Sequence, residues 1–114
     1  MIRKIKISFE YGGWPLWLYD EKDILLSAGL PEELKSDYNL EAMFNDLQNR
    51  YNKYYMRDND DFKSENPFFY SLEEKEKFIK DFEFAKAELM KKLNGKYEIE
   101  DKESDSLPLY SYKK

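Results

Sequence analysis

The apolar alternation at the start of the chain constrains the fold most. Ile5, Ile7 and Phe9 alternate with Lys6, Ser8 and Glu10, and a period of two puts the first set on one face of a strand and the second on the other. Isoleucine and phenylalanine suit a pleated, half-buried surface. Gly12-Gly13 follows, and glycine tolerates the positive φ of tight turns, so a β-hairpin is predicted to reverse there. The returning run, Trp14 to Tyr19, is apolar on both faces apart from the Tyr19 hydroxyl. Such a strand is buried on both sides or keeps one face for a partner. Pro15 cannot donate to a ladder, which puts it at the start of that strand or on an edge. The polar turn Asp20-Glu21-Lys22-Asp23 leads to a third strand, Ile24 to Ala28, completing an antiparallel meander. Core packing accounts for Trp14, Trp17 and Tyr19; the alternative, a ligand-stacking platform, needs polar anchors beside the rings.

Gly29-Leu30-Pro31 leaves the meander, and Glu32-Glu33-Leu34 forms at most one helical turn. Ser36 to Asn39 offers N-cap side chains to a helix running to about Met56. Leu40, Met43, Phe44, Leu47, Tyr51, Tyr54 and Tyr55 recur along it at spacings of three and four. Arg57 to Tyr70 lacks regular periodicity. A second helix has clear limits: Ser71-Leu72-Glu73-Glu74 matches a capping box, and Asn94-Gly95 supplies a left-handed stop. Phe78, Ile79, Phe82, Ala85, Leu89 and Leu93 line its apolar face. Tyr97 and Ile99 alternate with charges as a short edge strand, and residues 101–114 read as a polar tail. The prediction is a single α+β domain over residues 1–100: a three- or four-stranded antiparallel sheet, begun by the N-terminal meander and covered by two α-helices.

The 114 residues contain no cysteine and no histidine. Thiol nucleophiles, disulfides, zinc–thiolate sites and the commonest general base are therefore excluded. Asp58-Asn59-Asp60-Asp61 fails as a calcium loop: Phe62 takes the third ligand position, glycine is absent, and Pro67 interrupts the closing helix. No nucleophile elbow, phosphate-binding loop or dinucleotide fingerprint occurs, and only a serine–lysine or tyrosine-based site stays open. No catalytic residue, metal or cofactor is expected. No apolar run reaches the length of a membrane span, nor does an h-region follow the basic N-terminus, so a cytoplasmic protein is expected.

The net charge of −5 is unevenly placed. Residues 20–41 hold seven acidic and two basic side chains, and residues 58–88 hold ten and five. This disfavours nucleic acid and favours a basic partner. The candidate partner-binding residues are Asp20, Glu21, Asp23, Glu32, Glu33, Asp37, Asp58, Asp60 and Asp61, with Tyr54 and Tyr55 as aromatic anchors beside the second acidic run.

The run Ile5 to Asp20 (IKISFEYGGWPLWLYD), continuing to Gly29-Leu30-Pro31-Glu32-Glu33-Leu34, resembles small immunity proteins found beside secreted polymorphic toxins of bacteria. The likeness extends through Ser71–Leu93 to Lys96-Tyr97-Glu98-Ile99 and stops before the tail. It implies a non-enzymatic, cytoplasmic inhibitor that binds a cognate toxin domain; a nuclease with a basic cleft would suit an acidic partner. Two other readings compete, a phage-encoded anti-defence inhibitor and a small-ligand binder or enzyme built on the aromatic hairpin. With no Cys or His and a failed calcium pattern, the melting temperature should not respond to EDTA or to micromolar calcium or zinc. A rise of several degrees with either metal would contradict this.

Overall fold

The computed structural model describes residues 3–10, 12–56, 69 and 71–109, the side chains of 54–56 excepted. Four strands, β1 (Arg3–Ile7), β2 (Leu16–Tyr19), β3 (Leu25–Ala28) and β4 (Tyr97–Asp101), form one sheet in the order β3-β2-β1-β4. Two helices, α1 (Tyr38–Met56) and α2 (Leu72–Leu93), lie between β3 and β4 in the chain. The fold is α+β as expected, with the meander first and the helices after it. One pairing differs from the expected pattern: β4 runs parallel to β1, from Arg3 opposite Tyr97 to Ile7 opposite Asp101. A parallel neighbour requires a crossover, and the two helices supply it. The sheet is therefore mixed, with antiparallel pairing from β1 through β3.

The strand alternation decides which face is covered. Ile5 and Ile7 of β1 and Leu16 and Leu18 of β2 are buried, and all join one core with Leu40, Phe44, Leu47 and Tyr51 of α1 and Phe78, Phe82, Ala85, Leu89 and Leu93 of α2. Tyr97 and Ile99 of β4 pack against the edge of that core. Lys4, Lys6, Trp17 and Tyr19 take the opposite face and are only half-buried. Trp17, expected to pack in the core, instead lies outside it: its indole N–H donates to the Ser8 carbonyl at 2.9 Å. The apolar-both-sides character of β2 thus reflects one core face and one face without a helix.

The predicted turn at Gly12-Gly13 is present, with the Gly13 N–H donating to the Glu10 carbonyl at 2.8 Å, and it sits within a longer connection, residues 8–15, across which the Ser8 N–H donates to the Pro15 carbonyl at 2.9 Å. Phe9 draws the chain out of the ladder. Its ring, 4% exposed, stacks on Tyr51 at 5.2 Å and meets Phe78 and Phe82 at 5.5 and 5.8 Å. Its N–H donates to the buried Glu103 carboxylate at 2.8 Å. The loop is then stitched to α1, where the Gln48 amide donates to the Glu10 carbonyl and Asn52 accepts from the Gly12 N–H, both at 2.9 Å.

Both helices begin as their local sequence requires. Asp37 accepts from the Leu40 N–H at 3.1 Å, and Ser71 Oγ from the Glu74 N–H at 3.1 Å. Asn94 and Gly95 both adopt positive φ at the end of α2, which releases the chain into β4. Arg50 joins the helices, reaching Asp46 and Asp81 at 2.9 Å each and lying over the Phe78 ring. Residues 102–109, expected as part of a polar tail, pack on the domain: Leu107 is buried in the core and Lys75 Nζ donates to the Pro108 carbonyl at 2.6 Å.

Removal of a fully buried ring and of a half-buried one should differ in cost. Phe82→Ala should destabilise by about 3–5 kcal/mol, whereas Trp17→Ala should cost about 1–2 kcal/mol, for partial burial and one hydrogen bond. Urea titration of both variants checks the order, and equal losses would contradict the one-sided core.

Candidate partner-binding surface

Asp20 and Asp23 build the β2–β3 turn. Asp20 Oδ1 accepts from the N–H groups of Lys22 and Ile24 at 2.8 and 2.9 Å, while Asp23 has a φ of 63°. Asp23 is also held by Lys4 Nζ at 2.9 Å. Lys4 reaches Glu100 at 3.4 Å and lies over the Tyr19 ring at 5.2 Å. One lysine on the face without helices therefore ties β1 to β4, to β2 and to the β2–β3 turn. The Asp23 hydrogen bond, opposed by burial and aided by Glu100, raises the Lys4 pKa.

Glu32 and Glu33 lie in a 3₁₀ turn, Glu32–Leu34. Glu32 pairs with Lys35 at 2.9 Å. Glu33 Oε1 accepts from the Tyr97 hydroxyl at 2.7 Å, linking this turn to β4. That bond, with the backbone, holds the Glu33 carboxyl below its ordinary range. Burial, and then the same carboxylate, push the Tyr97 hydroxyl upward. Asp37 caps α1 and pairs with Lys92 near the end of α2; Lys92 first, and then the Leu40 N–H, hold its carboxyl down. Compensation for these acids comes largely from Lys4 and Lys92, far away in the sequence. Glu21 and Glu41 form no ion pair among the described residues. Tyr54 and Tyr55 fall in the last turn of α1, but their side chains, like Asp58, Asp60 and Asp61, lie outside the described residues.

The acidic turns flank an apolar edge that the residue pattern did not single out as a surface. Ile24 is 57% exposed, Leu25 49% and Leu26 47%, and every residue of β3 is exposed. The antiparallel pairing skips Leu26, with Leu18 opposite Ser27 and Tyr19 opposite Leu25. Beside the far end of β3 a cleft of about 310 Å³ opens between Trp14, Ala28, Gly29, Leu30 and Phe44, with Lys35 and Glu41 among its lining. Trp14, expected in the core, is 36% exposed at this cleft. The run Ile24-Leu25-Leu26 is apolar in the sequence, but that it lies on an edge follows only from the strand order β3-β2-β1-β4.

The serine–lysine possibility meets a specific arrangement at the end of β4. Ser104 Oγ donates to Asp101, and Lys86 Nζ pairs with the same carboxylate at 2.5 Å while lying 3.4 Å from Ser104. Ser104 Oγ and Lys86 Nζ both reach the Asp101 carboxylate, so the trio ties the segment after β4 to α2. Burial opposes ionisation of Asp101, but Lys86, Ser104 and the N–H groups of Glu103 and Ser104 outweigh it and bring its pKa from 3.8 to about 2. No three carboxylates converge as a metal site among the described residues. Nor is any helix among them long and apolar enough to cross a membrane.

Against this geometry, the comparison with known families is direct. Residues 3–103 match the Serratia CdiI immunity protein-like family, and the chain belongs to that family. The match begins with β1 and ends two residues beyond β4, at the buried Glu103 that accepts the Phe9 N–H. No curated protein and no solved structure matches the chain. Membership agrees with the resemblance read from the opening strands: this is an immunity-type protein, of a class whose general role is to neutralise a toxin and which is generally not enzymatic.

The depressed pKa of Asp101 predicts a defined acid window. Its folded pKa lies below the unfolded value, so its contribution is complete above about pH 4 and is lost as pH falls through about 2. Asp101→Asn should be less stable than the parent at neutral pH and should lose less stability between about pH 4 and 2. Denaturant titrations over that range check it; parallel curves for parent and variant would contradict the assignment.

Proposed function

We propose that this chain is a non-enzymatic immunity protein that binds a cognate toxin domain in the cytoplasm and blocks its active site or substrate surface. Membership of the immunity family over residues 3–103 carries the reading. The proposed contact surface is the acidic side formed by the β2–β3 turn and the 3₁₀ turn, including Asp20, Glu21, Asp23, Glu32, Glu33 and Asp37. On sequence grounds Asp58, Asp60 and Asp61 add charge, and Tyr54 and Tyr55 add aromatic anchors. A basic cleft, such as that of a nuclease, is the complementary partner. The net charge of −5 supports this, because acidic surfaces accelerate encounter with basic ones, whereas a few desolvated groups set the affinity.

Acids that hold turns are poor probes, since their removal disturbs the fold. Glu21 and Glu41 hold none. Glu21→Lys with Glu41→Lys, and separately Asp58→Asn with Asp60→Asn and Asp61→Asn, should leave the melting temperature near that of the parent. Each set should slow association with the toxin domain encoded by the neighbouring gene, by roughly tenfold at low salt, and flatten its salt dependence. Stopped-flow association at two ionic strengths checks this. Unchanged rates and salt slopes in both sets would contradict an acidic interface, and failure of the parent to protect cells expressing the toxin would contradict the function.

A further inference from the structure

The two edges of the sheet are built differently. The β4 edge carries Glu98 and Glu100, with Lys102 just beyond it paired to Glu100 at 3.2 Å. Charges along an edge discourage another strand from pairing there. The β3 edge carries Leu25 and Leu26, preceded by Ile24, all about half exposed. An edge strand presents alternate N–H and C=O groups outward, and an apolar edge without charges is a template for strand addition. Among the described residues no strand pairs with that edge, and beside it lies the cleft under Trp14.

We infer that β3 is the docking strand of the toxin interface: an extended segment of the toxin pairs with Leu25–Ala28, seats one apolar side chain in the cleft at Trp14, and carries Lys or Arg on either side. This rests on the proposed immunity function and specifies the partner's chemistry. Charge selects the occupant. Asp20 and Glu21 at one end of β3, and Glu32, Glu33 and Glu41 beyond the other, outnumber Lys22 and Lys35 beside them, so a basic-flanked strand is attracted at both ends. A second copy of this chain is not. Antiparallel β3–β3 pairing would set the Asp20–Asp23 turn of each copy against the Glu32–Glu33 turn of the other, and like charges would meet twice.

The test uses the full chain and the toxin domain encoded by the neighbouring gene, with the toxin's active site inactivated. Leu25→Lys with Leu26→Lys puts two charges on exposed positions and should leave the melting temperature near that of the parent. Affinity should fall by roughly 100-fold, the scale of losing one or two interfacial anchors. In the parent complex, hydrogen exchange should show new protection of the amides of residues 25–28. If the parent binds and the variant binds within about threefold of it, a loss far below one anchor's worth, the β3 inference is overturned while the immunity function stands. If the parent itself does not bind, both fail. Should the variant misfold, exchange on the parent complex decides, and unprotected β3 amides overturn the inference. So does a dimer of the free chain with those amides already protected.

Discussion

The molecule depends on the burial of Ile5 and Ile7 at the centre of a sheet whose outer strands come from opposite ends of the sequence. With β2 on one side and β4 on the other, β1 has both an antiparallel and a parallel neighbour. Its two isoleucines are fully buried and face α1 and α2 through the Phe44, Phe78 and Phe82 cluster. Full burial of such a side chain is worth about 1.5–3 kcal/mol. A one-residue slip of β1 would exchange the isoleucines for Lys4 and Lys6, which makes this register costly to change. Phe9 and Glu103 then close the end of the same layer: the ring stacks on Tyr51, and the buried carboxylate accepts the Phe9 N–H that has no strand partner.

The opposite face of the sheet follows from that choice. Among the described residues no helix lies on it, and its side chains cover one another: Lys4 over Tyr19 and paired with Asp23 and Glu100, Trp17 bonded to Ser8. Exposed pairs of this kind are worth little singly, but here they position the β2–β3 turn and therefore the acidic end of β3. The same acids serve the fold and the surface charge. Asp37 caps a helix and receives Lys92, and Glu33 receives the Tyr97 hydroxyl. Glu21 and Glu41 remain outside such ties among the described residues, and are the groups best able to meet a partner without cost to the fold.

Much of this was legible in the residues. The limits of α2 follow from Ser71 and Asn94-Gly95, because caps are local chemistry, and both apolar helix stripes follow from spacing. The immunity class was also readable, in the opening strands and the turn after them. Four features were not. The loop 8–15 depends on Phe9 meeting two helices and Glu103, contacts that span most of the chain. The parallel register of β4 is set by where the helical crossover lands it, whereas its alternation alone fits either direction. The compensation of Asp23 and Asp37 comes from Lys4 and Lys92, so counting charges within a segment overstates how free those acids are. Exposure of β3 was hidden for a related reason, since an apolar run reads alike in a central strand and in an unpaired edge.

If β3 is the docking strand, the β3 side of the sheet meets the toxin and the helical layer does not. The most direct measurement is a ¹H–¹⁵N NMR titration of the labelled chain with the inactivated toxin domain. The largest shifts should fall on the amides of Ile24 to Gly29 and on the Trp14 indole N–H. Shifts concentrated on the outer face of α2, around Phe84 and Met90, with β3 unmoved, would contradict it.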